Sequence, residues 1–348
     1  MYYNCHTSIS IGDKTLQTVI SVNTNNDSQQ IGADAEIVVP LSCRIAYQSG
    51  SYVNGTYKNP NTNFLTDQPK NLFSVGDKVV IKARYDSYQE VTVFEGFVFD
   101  FVLGLPVTIK CLDYVYFLRK GLINLKYKTV TFRNLLKDVL KGTGITLMTN
   151  TVDFNLYNFT VPYMTPAAVL EYFRKELGIN ISLMGSNLYV NVASNSIKRI
   201  KYQSDVNVLK NELQKPESTF QSFRVKAYFI QSNGKKASFE VGNLSGTLRE
   251  ITFANLSPNQ ALYEKLAKEC YLNCQMQSYR GSIIAPLYPD CSIFDIVEYT
   301  DIRFPEKSGD YLITGVGFEL SDNGYHRKLK WAHLVNPLPG QITPLLLQ

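Results

Sequence analysis

FSVGDKVVIKARYDSYQEVTVFEGFVFDFVLGLPVTIKCLDYVYFL, residues 73–118, decides how the rest of the chain is read. Lys78–Tyr85 is β-branched and aromatic, with Lys78, Lys82 and Arg84 on one face at period 2. Val91–Val102 is a second strand-like run, interrupted only by Glu95 and Gly96, and Val107–Leu112 is a third. Gly76-Asp77, Asp86-Ser87 and Gly104-Leu105-Pro106 punctuate these runs as turns. Three such strands without an intervening helix predict an antiparallel sheet that curls into a small barrel or sandwich.

Upstream, Thr7–Val22 alternates as strand, turn, strand around Gly12-Asp13-Lys14. Asn23–Gln29 (NTNNDSQ) is expected as a polar turn or loop, and Ala33–Cys43 as a strand in which Pro40 marks an edge or bend. Gln48–Lys70 is rich in Asn, Gly, Ser, Thr and Pro and is expected as a long surface loop. Residues 1–114 therefore form one all-β domain.

The character changes after Tyr116. Phe132, Leu135, Leu136, Val139 and Leu140 recur on one helical face, with Thr131 at the N-cap and Gly142 and Gly144 beyond the end. A short strand, Ile145–Met148, is followed by a helix from Pro166 to Leu177, capped by Thr165 and stopped by Gly178. Asn180–Leu183 and Asn187–Val192 then pair across Met184-Gly185-Ser186. Residues 115–199 are thus a small α/β domain.

From residue 200 the β pattern returns and defines a second β domain to about 335. Val225–Gln231 and Ala237–Val241 flank an Asn233-Gly234 turn, Leu248–Phe253 is a further strand, and a helix is expected over 259–277. Strands resume at Gly281–Pro286, Ile296–Tyr299, Gly309–Leu320 and Tyr325–Leu334, the last two joined at Asn323-Gly324. Phe294-Asp295-Ile296-Val297 loosely echoes Val75-Gly76-Asp77-Lys78-Val79, and Tyr311–Leu329 echoes Val93–Lys110. Residues 336–348 form an extended, proline-spaced C-terminal tail whose three leucines point to docking on a partner.

The composition sets bounds without choosing a function. The chain has 348 residues, 45% of them hydrophobic, enough for two or three domains with sizeable cores. Only 19% are charged while 23 are Tyr, a balance that fits either broad partner interfaces or an AT-rich genome. The net charge of +5 is mild and gives no nucleic-acid signal. The basic runs Lys198–Lys201, Lys235-Lys236 and His326–Lys328 sit at expected strand or turn edges. Six scattered cysteines make no disulfide framework, and Cys111 reads as a buried thiol. No N-terminal leader and no apolar run of about 18 residues is present, so membrane contact is expected only through partners.

Catalytic, cofactor-binding and metal-binding residues are all expected to be none. The three histidines lack ligand spacing, and Cys270 and Cys274, one helical turn apart, lack a second pair. No phosphate loop or nucleophile elbow is present. Glu95 and Asp113 are the one carboxylate pair placed near one sheet, and an ordinary structural role for Glu95 is the plainer reading.

The order of these pieces is what carries a likeness. Gly-Asp opening a strand, Phe94-Glu95-Gly96-Phe97-Val98, Ile109-x-Cys111-x-Asp113 running into Tyr114–Leu118, and then a helix like TPAAVLEYFRKELGI resemble the late control D protein and central baseplate hub family of phage tails, shared with the base of type VI secretion spikes. The resemblance covers residues 1 to about 335. It implies a mainly β fold with an α+β insertion: two similar antiparallel β-barrel domains flanking a small α/β domain. It further implies a non-enzymatic homotrimer whose six barrels form a pseudo-hexameric ring. The ring would join a six-fold tail tube or distal tail protein to a three-fold central spike. Its channel would pass DNA or a tape measure protein, and Lys78, Lys82 and Arg84 would face that channel or a neighbouring ring. The implied location is the virion, at the tail baseplate or tip, after synthesis in the host bacterial cytoplasm. Another tail-tip or tube protein on the same barrels, or a carbohydrate-binding β-sandwich adhesin, are the alternatives.

Overall fold

The computed structural model of the chain describes residues 5–333 apart from 48–50, 54–55, 59–63, 87, 150–152, 178, 180, 191–197, 215–222, 232–233, 257–262, 265–266, 269–270, 272–280 and 322–323. The fold is mainly β. The three runs that opened the reading are strands Lys78–Tyr85, Val91–Val102 and Val107–Leu112, paired as an antiparallel meander. Their alternate residues fill one core. Val79, Ile81, Ala83, Phe94, Val98, Ile109 and Cys111 pack there with Ile9, Ile11 and Ile37.

The two expected barrels are corrected in one respect. Strands of both β blocks hydrogen-bond into a single 15-stranded sheet, and among the described residues its path stays open. From one end it runs through Lys210–Asn211, Ser282–Ala285, Gly324–His333, Gly309–Ser321, Ser21–Asp27, Ala33–Val39 and the meander. It then continues through Cys5–Ile11, Lys14–Leu16, Cys43–Tyr47 and Phe64–Asp67. Arg199–Gln203 joins through Ile296–Thr300, in parallel.

The join falls on residues expected as a turn. Ser21–Asp27 is a strand paired on both sides, with Ala33–Val39 and with Gly309–Ser321. Its asparagines oppose strand propensity, but Val22, Thr24 and Asp27 are buried and both ladders satisfy the backbone. Ala33–Val39 lies inside the sheet, and Pro40 stands just past its end, where no ladder N–H is needed. Gln48–Lys70 carries more structure than a loop. Ser51–Val53 pairs with Thr56–Lys58, and Phe64–Asp67 extends the large sheet.

The middle of the chain forms its own core. Helix Phe132–Leu140 buries Phe132, Leu135, Leu136, Val139 and Leu140, the face expected, and the Thr131 side chain accepts from the Asn134 N–H. Helix Pro166–Leu177 starts where expected, with Thr165 Oγ1 accepting from the Ala168 N–H. Thr146–Thr149, Asn187–Val190 and Ile181–Met184 make a three-stranded sheet beside them.

Two strands here escaped the sequence reading, Ile123–Thr131 and Asn155–Met164. They pair with each other and, through Leu156 and Leu256, with Thr247–Leu256, Phe223–Gln231 and Lys236–Gly242. Strands 223–256, grouped by sequence with the second β block, therefore lie in a separate five-stranded sheet. Val225, Ala227 and Phe229 pack in the same core as the two helices, because their apolar face meets that core and not the second block. The helix expected over 259–277 and the tail 336–348 lie largely or wholly outside the described residues.

Candidate functional site

The sequence-level candidates for chemistry are distributed, not convergent. Glu95 lies on the exposed face of its strand and pairs with Lys78 Nζ at 2.8 Å. Asp113 is buried and spends its carboxylate on backbone, accepting from Ala33 N–H at 2.7 Å and Val115 N–H at 2.9 Å. Burial pushes the Asp113 carboxyl up to about 6. Neither carboxylate bonds the other, so no acid–base pair is assembled from them.

The basic face is likewise engaged locally. Lys82 pairs with Glu90 at 3.0 Å, and Arg84 donates to the Asp86 carbonyl at 3.1 Å. His6 lies 3.5 Å from Asp86 and His326 lies 3.4 Å from Glu319. Among the described residues no group of three or more His, Cys, Asp or Glu could hold a metal. No helix among them is long and apolar enough to cross a membrane. Cys270 and Cys274 lie outside the described residues.

What the structure does assemble is one β unit, twice. In the first, Ser74 N–H donates to Asp77 Oδ2 at 2.8 Å, Gly76 N–H to Val98 O, and Val98 N–H to Asp77 O. In the second, Ser292 N–H donates to Asp295 Oδ2 at 2.8 Å, Phe294 N–H to Ile313 O, and Ile313 N–H to Asp295 O. The residue before each Asp has positive φ, 97° at Gly76 and 72° at Phe294. Glycine accepts that conformation freely, whereas Phe294 does so at a cost of about 1–2 kcal/mol. A register shift follows each partner residue, between Val98 and Asp100 and between Ile313 and Gly315. Beyond it, Asp100 faces Lys110 and Gly315 faces Lys330.

The correspondence extends across the sheet. Lys110 faces Glu36 and Lys330 faces Ser282, so strand 33–39 and strand 282–285 occupy equivalent places, each followed by proline, Pro40 and Pro286. The next strand is attached identically, by Ile20 N–H to Val38 O and Leu209 N–H to Ile284 O, both at 2.8 Å. The loose echo in sequence is thus a repeated hydrogen-bond plan. The sequence reading found its Asp-centred turn and the echo of hairpin 93–110 in 311–329, but not the equivalence of strands 33–39 and 282–285, since the ladder bonds are backbone bonds that any side chain permits.

The two units are joined tightly. Residues 315–320 of the second run antiparallel to 22–27 of the first, and Phe318 N–H donates to Thr24 Oγ1 at 3.1 Å. Phe318 and Leu287 belong to the core of the first unit although they come from the second. Leu287 N–H donates to Tyr85 Oη at 3.2 Å, and Tyr85 also packs against Tyr288 and Tyr325. Lys330 pairs with the nearly buried Asp27 across the junction.

Arg327, in a basic run expected at a strand or turn edge, is buried here. Its guanidinium donates to Pro289 O at 3.2 Å, Cys291 Sγ at 3.4 Å and Asp290 Oδ1 at 3.2 Å, and so holds the loop that presents Leu287 and Tyr288. Burial pushes the Cys291 thiol up, which keeps it neutral beside the cation. Nothing in the spacing of His326-Arg327-Lys328 could have shown that the middle residue turns inward, although period 2 along the strand allows it.

The fold that carries this repeated β unit has relatives among solved structures. No protein-family model matches the chain, and no curated protein matches it. The structure is similar to a tail protein from Neisseria meningitidis MC58, with TM-score 0.64 and 14% identity, over 97% of this chain and 99% of that one. It is also similar to the 43 kDa tail protein of prophage MuSo2 from Shewanella oneidensis, with TM-score 0.62 and 14% identity, over 95% and 98%. A third likeness is to the E. coli c3393 protein, a type VI secretion component with structural similarity to the T4 tail proteins gp27 and gp5. There the TM-score is 0.54 and the identity 10%, over 94% of this chain and 77% of that one. From end to end, the chain has the fold of phage tail proteins.

Proposed function

We propose that this chain is a structural component of a phage tail or a related contractile injection baseplate, serving as its central hub. The observation that carries the reading is the two-way coverage: the chain and the Neisseria tail protein match over nearly the full length of both. The repeated β unit supports the finer reading. Two like units per chain let three chains present six similar units, which suits a trimeric ring between a six-fold tube and a three-fold spike. Its partners would be a tail tube or distal tail protein, a central spike and a tape measure protein, with DNA passing through the opening. The work of such a part is mechanical and needs no cofactor.

Antibodies raised against the chain test its placement. In particles released from the producing culture, they should label one end of tail-like structures in electron micrographs. Label confined to soluble protein, or scattered along the tail, would overturn the hub assignment.

A further inference from the structure

Strand Ile123–Thr131 and helix Phe132–Leu140 follow one another without a connecting residue. The chain turns back at Thr131, and a cleft of about 500 Å³ lies between strand and helix. Tyr127, Thr129 and Thr131 line it from the strand, and Asn134, Lys137 and Asp138 from the helix. Tyr127 Oη donates to Asp138 Oδ2 at 2.5 Å, which ties strand to helix at the end away from the turn.

Two features suit this cleft to another chain. The first is the backbone. Strand 123–131 pairs with Asn155–Met164 and ends the five-stranded sheet, so among the described strands its other edge has no partner. Every second residue along that edge turns its N–H and C=O away from the ladder, toward where a further strand would lie. The second feature is charge. Lys126 and Lys128 stand exposed on one face of the strand, and Lys137 lines the cleft, with Arg133 and Lys141 exposed one turn to either side of it. None of the five makes an ion pair with a described residue. Asp138 is the one acidic residue lining the cleft, and its carboxylate already accepts from Tyr127. Asp153, before the helix, accepts from the Arg133 N–H at 3.0 Å. Five unpaired cations against two engaged carboxylates leave this surface positive. Lysines on an open edge discourage a like strand and favour an acidic one.

We propose that the cleft receives an extended, acidic peptide segment of a partner protein, which adds to strand 123–131 as a further strand. Its backbone completes the open ladder. Its alternate side chains meet Lys126 and Lys128 on one face and Lys137 on the other. A segment of about six residues, the ordinary strand length, spans the site. The chain's own residues 334–348 carry no Asp or Glu and do not match it. A nucleic acid would be drawn by the same charge but cannot complete a strand edge. The site belongs to the core of the middle of the chain, not to the seam between the β units, and does not depend on the hub reading.

Fluorescence anisotropy of the full chain with three labelled octapeptides tests this. Glu-Glu-Thr-Glu-Glu-Thr-Glu-Glu places acid on both faces of a strand and should bind. Replacing both Thr by Pro keeps the charge but breaks the ladder, because one of the two prolines falls on the paired edge in either register. Replacing every Glu by Lys reverses the charge. Each change should weaken binding about tenfold or more. Lys126→Glu and Lys137→Glu, one on each face, should each do the same to the first peptide. Both positions are exposed, so thermal melts of these variants should match the parent chain. No saturable binding below about 1 mM, or binding that both lysine variants leave unchanged, would overturn the site. Equal binding of the proline peptide, or equally good competition by an oligothymidine strand, would overturn the added strand and leave only a charged surface. End-labelling of tails reports on the hub assignment separately.

Discussion

At the scale of single residues, Asp113 is one group through which stability depends on pH. Its carboxylate anchors the turn between strand 107–112 and the middle of the chain, through the Ala33 and Val115 N–H groups. Gly32 leaves room for it, since a Cβ there would stand 2.4 Å from Asp113 Oδ1. With a folded-state value of about 6, above that of the unfolded chain, the folded form binds the proton more tightly. The stabilisation from that proton is present at pH 4 and is lost as pH rises through 6, by about 2–3 kcal/mol in all. Asp113→Asn removes the titration. Melting curves at pH 5 and pH 7 should show a smaller pH response of this variant than of the parent. An equal response in both would assign the pH dependence elsewhere.

At the scale of elements, the seam made by strands 21–27 and 309–321 holds the two β units together. Phe318→Ala removes a buried ring from the far unit's core and should cost about 3–5 kcal/mol, read from urea unfolding. Proteolysis should then cut preferentially near the seam, and loss below about 1 kcal/mol would show that the units barely depend on it. The seam is also where sequence reading gave out. Strands 78–85, 91–102 and 107–112, and helices 132–140 and 166–177, are legible because apolar period, caps and turn residues agree at each. Asn23–Asp27 has none of these signals, and only pairing on both edges makes it a strand. Phe223–Leu256 reads correctly as strands, but their partners, 123–131 and 155–164, come from far along the chain. Local pattern identifies an element without naming its neighbour.

At the scale of the whole molecule, one β unit occurs twice in a single large sheet, joined through strands 21–27 and 309–321. Surface salt bridges such as Lys78–Glu95 and Lys82–Glu90 contribute little to stability and keep the remaining faces charged and separate. The most direct measurement is the mass of the purified chain by light scattering, with averaged electron micrographs of the same peak. A trimer of about 118 kDa, three times 39.4 kDa, seen as a ring with a central opening and six similar lobes, is the expected result. A particle that remains at 39.4 kDa across the accessible concentration range, or one whose averages show a closed two-fold dimer, would contradict the ring.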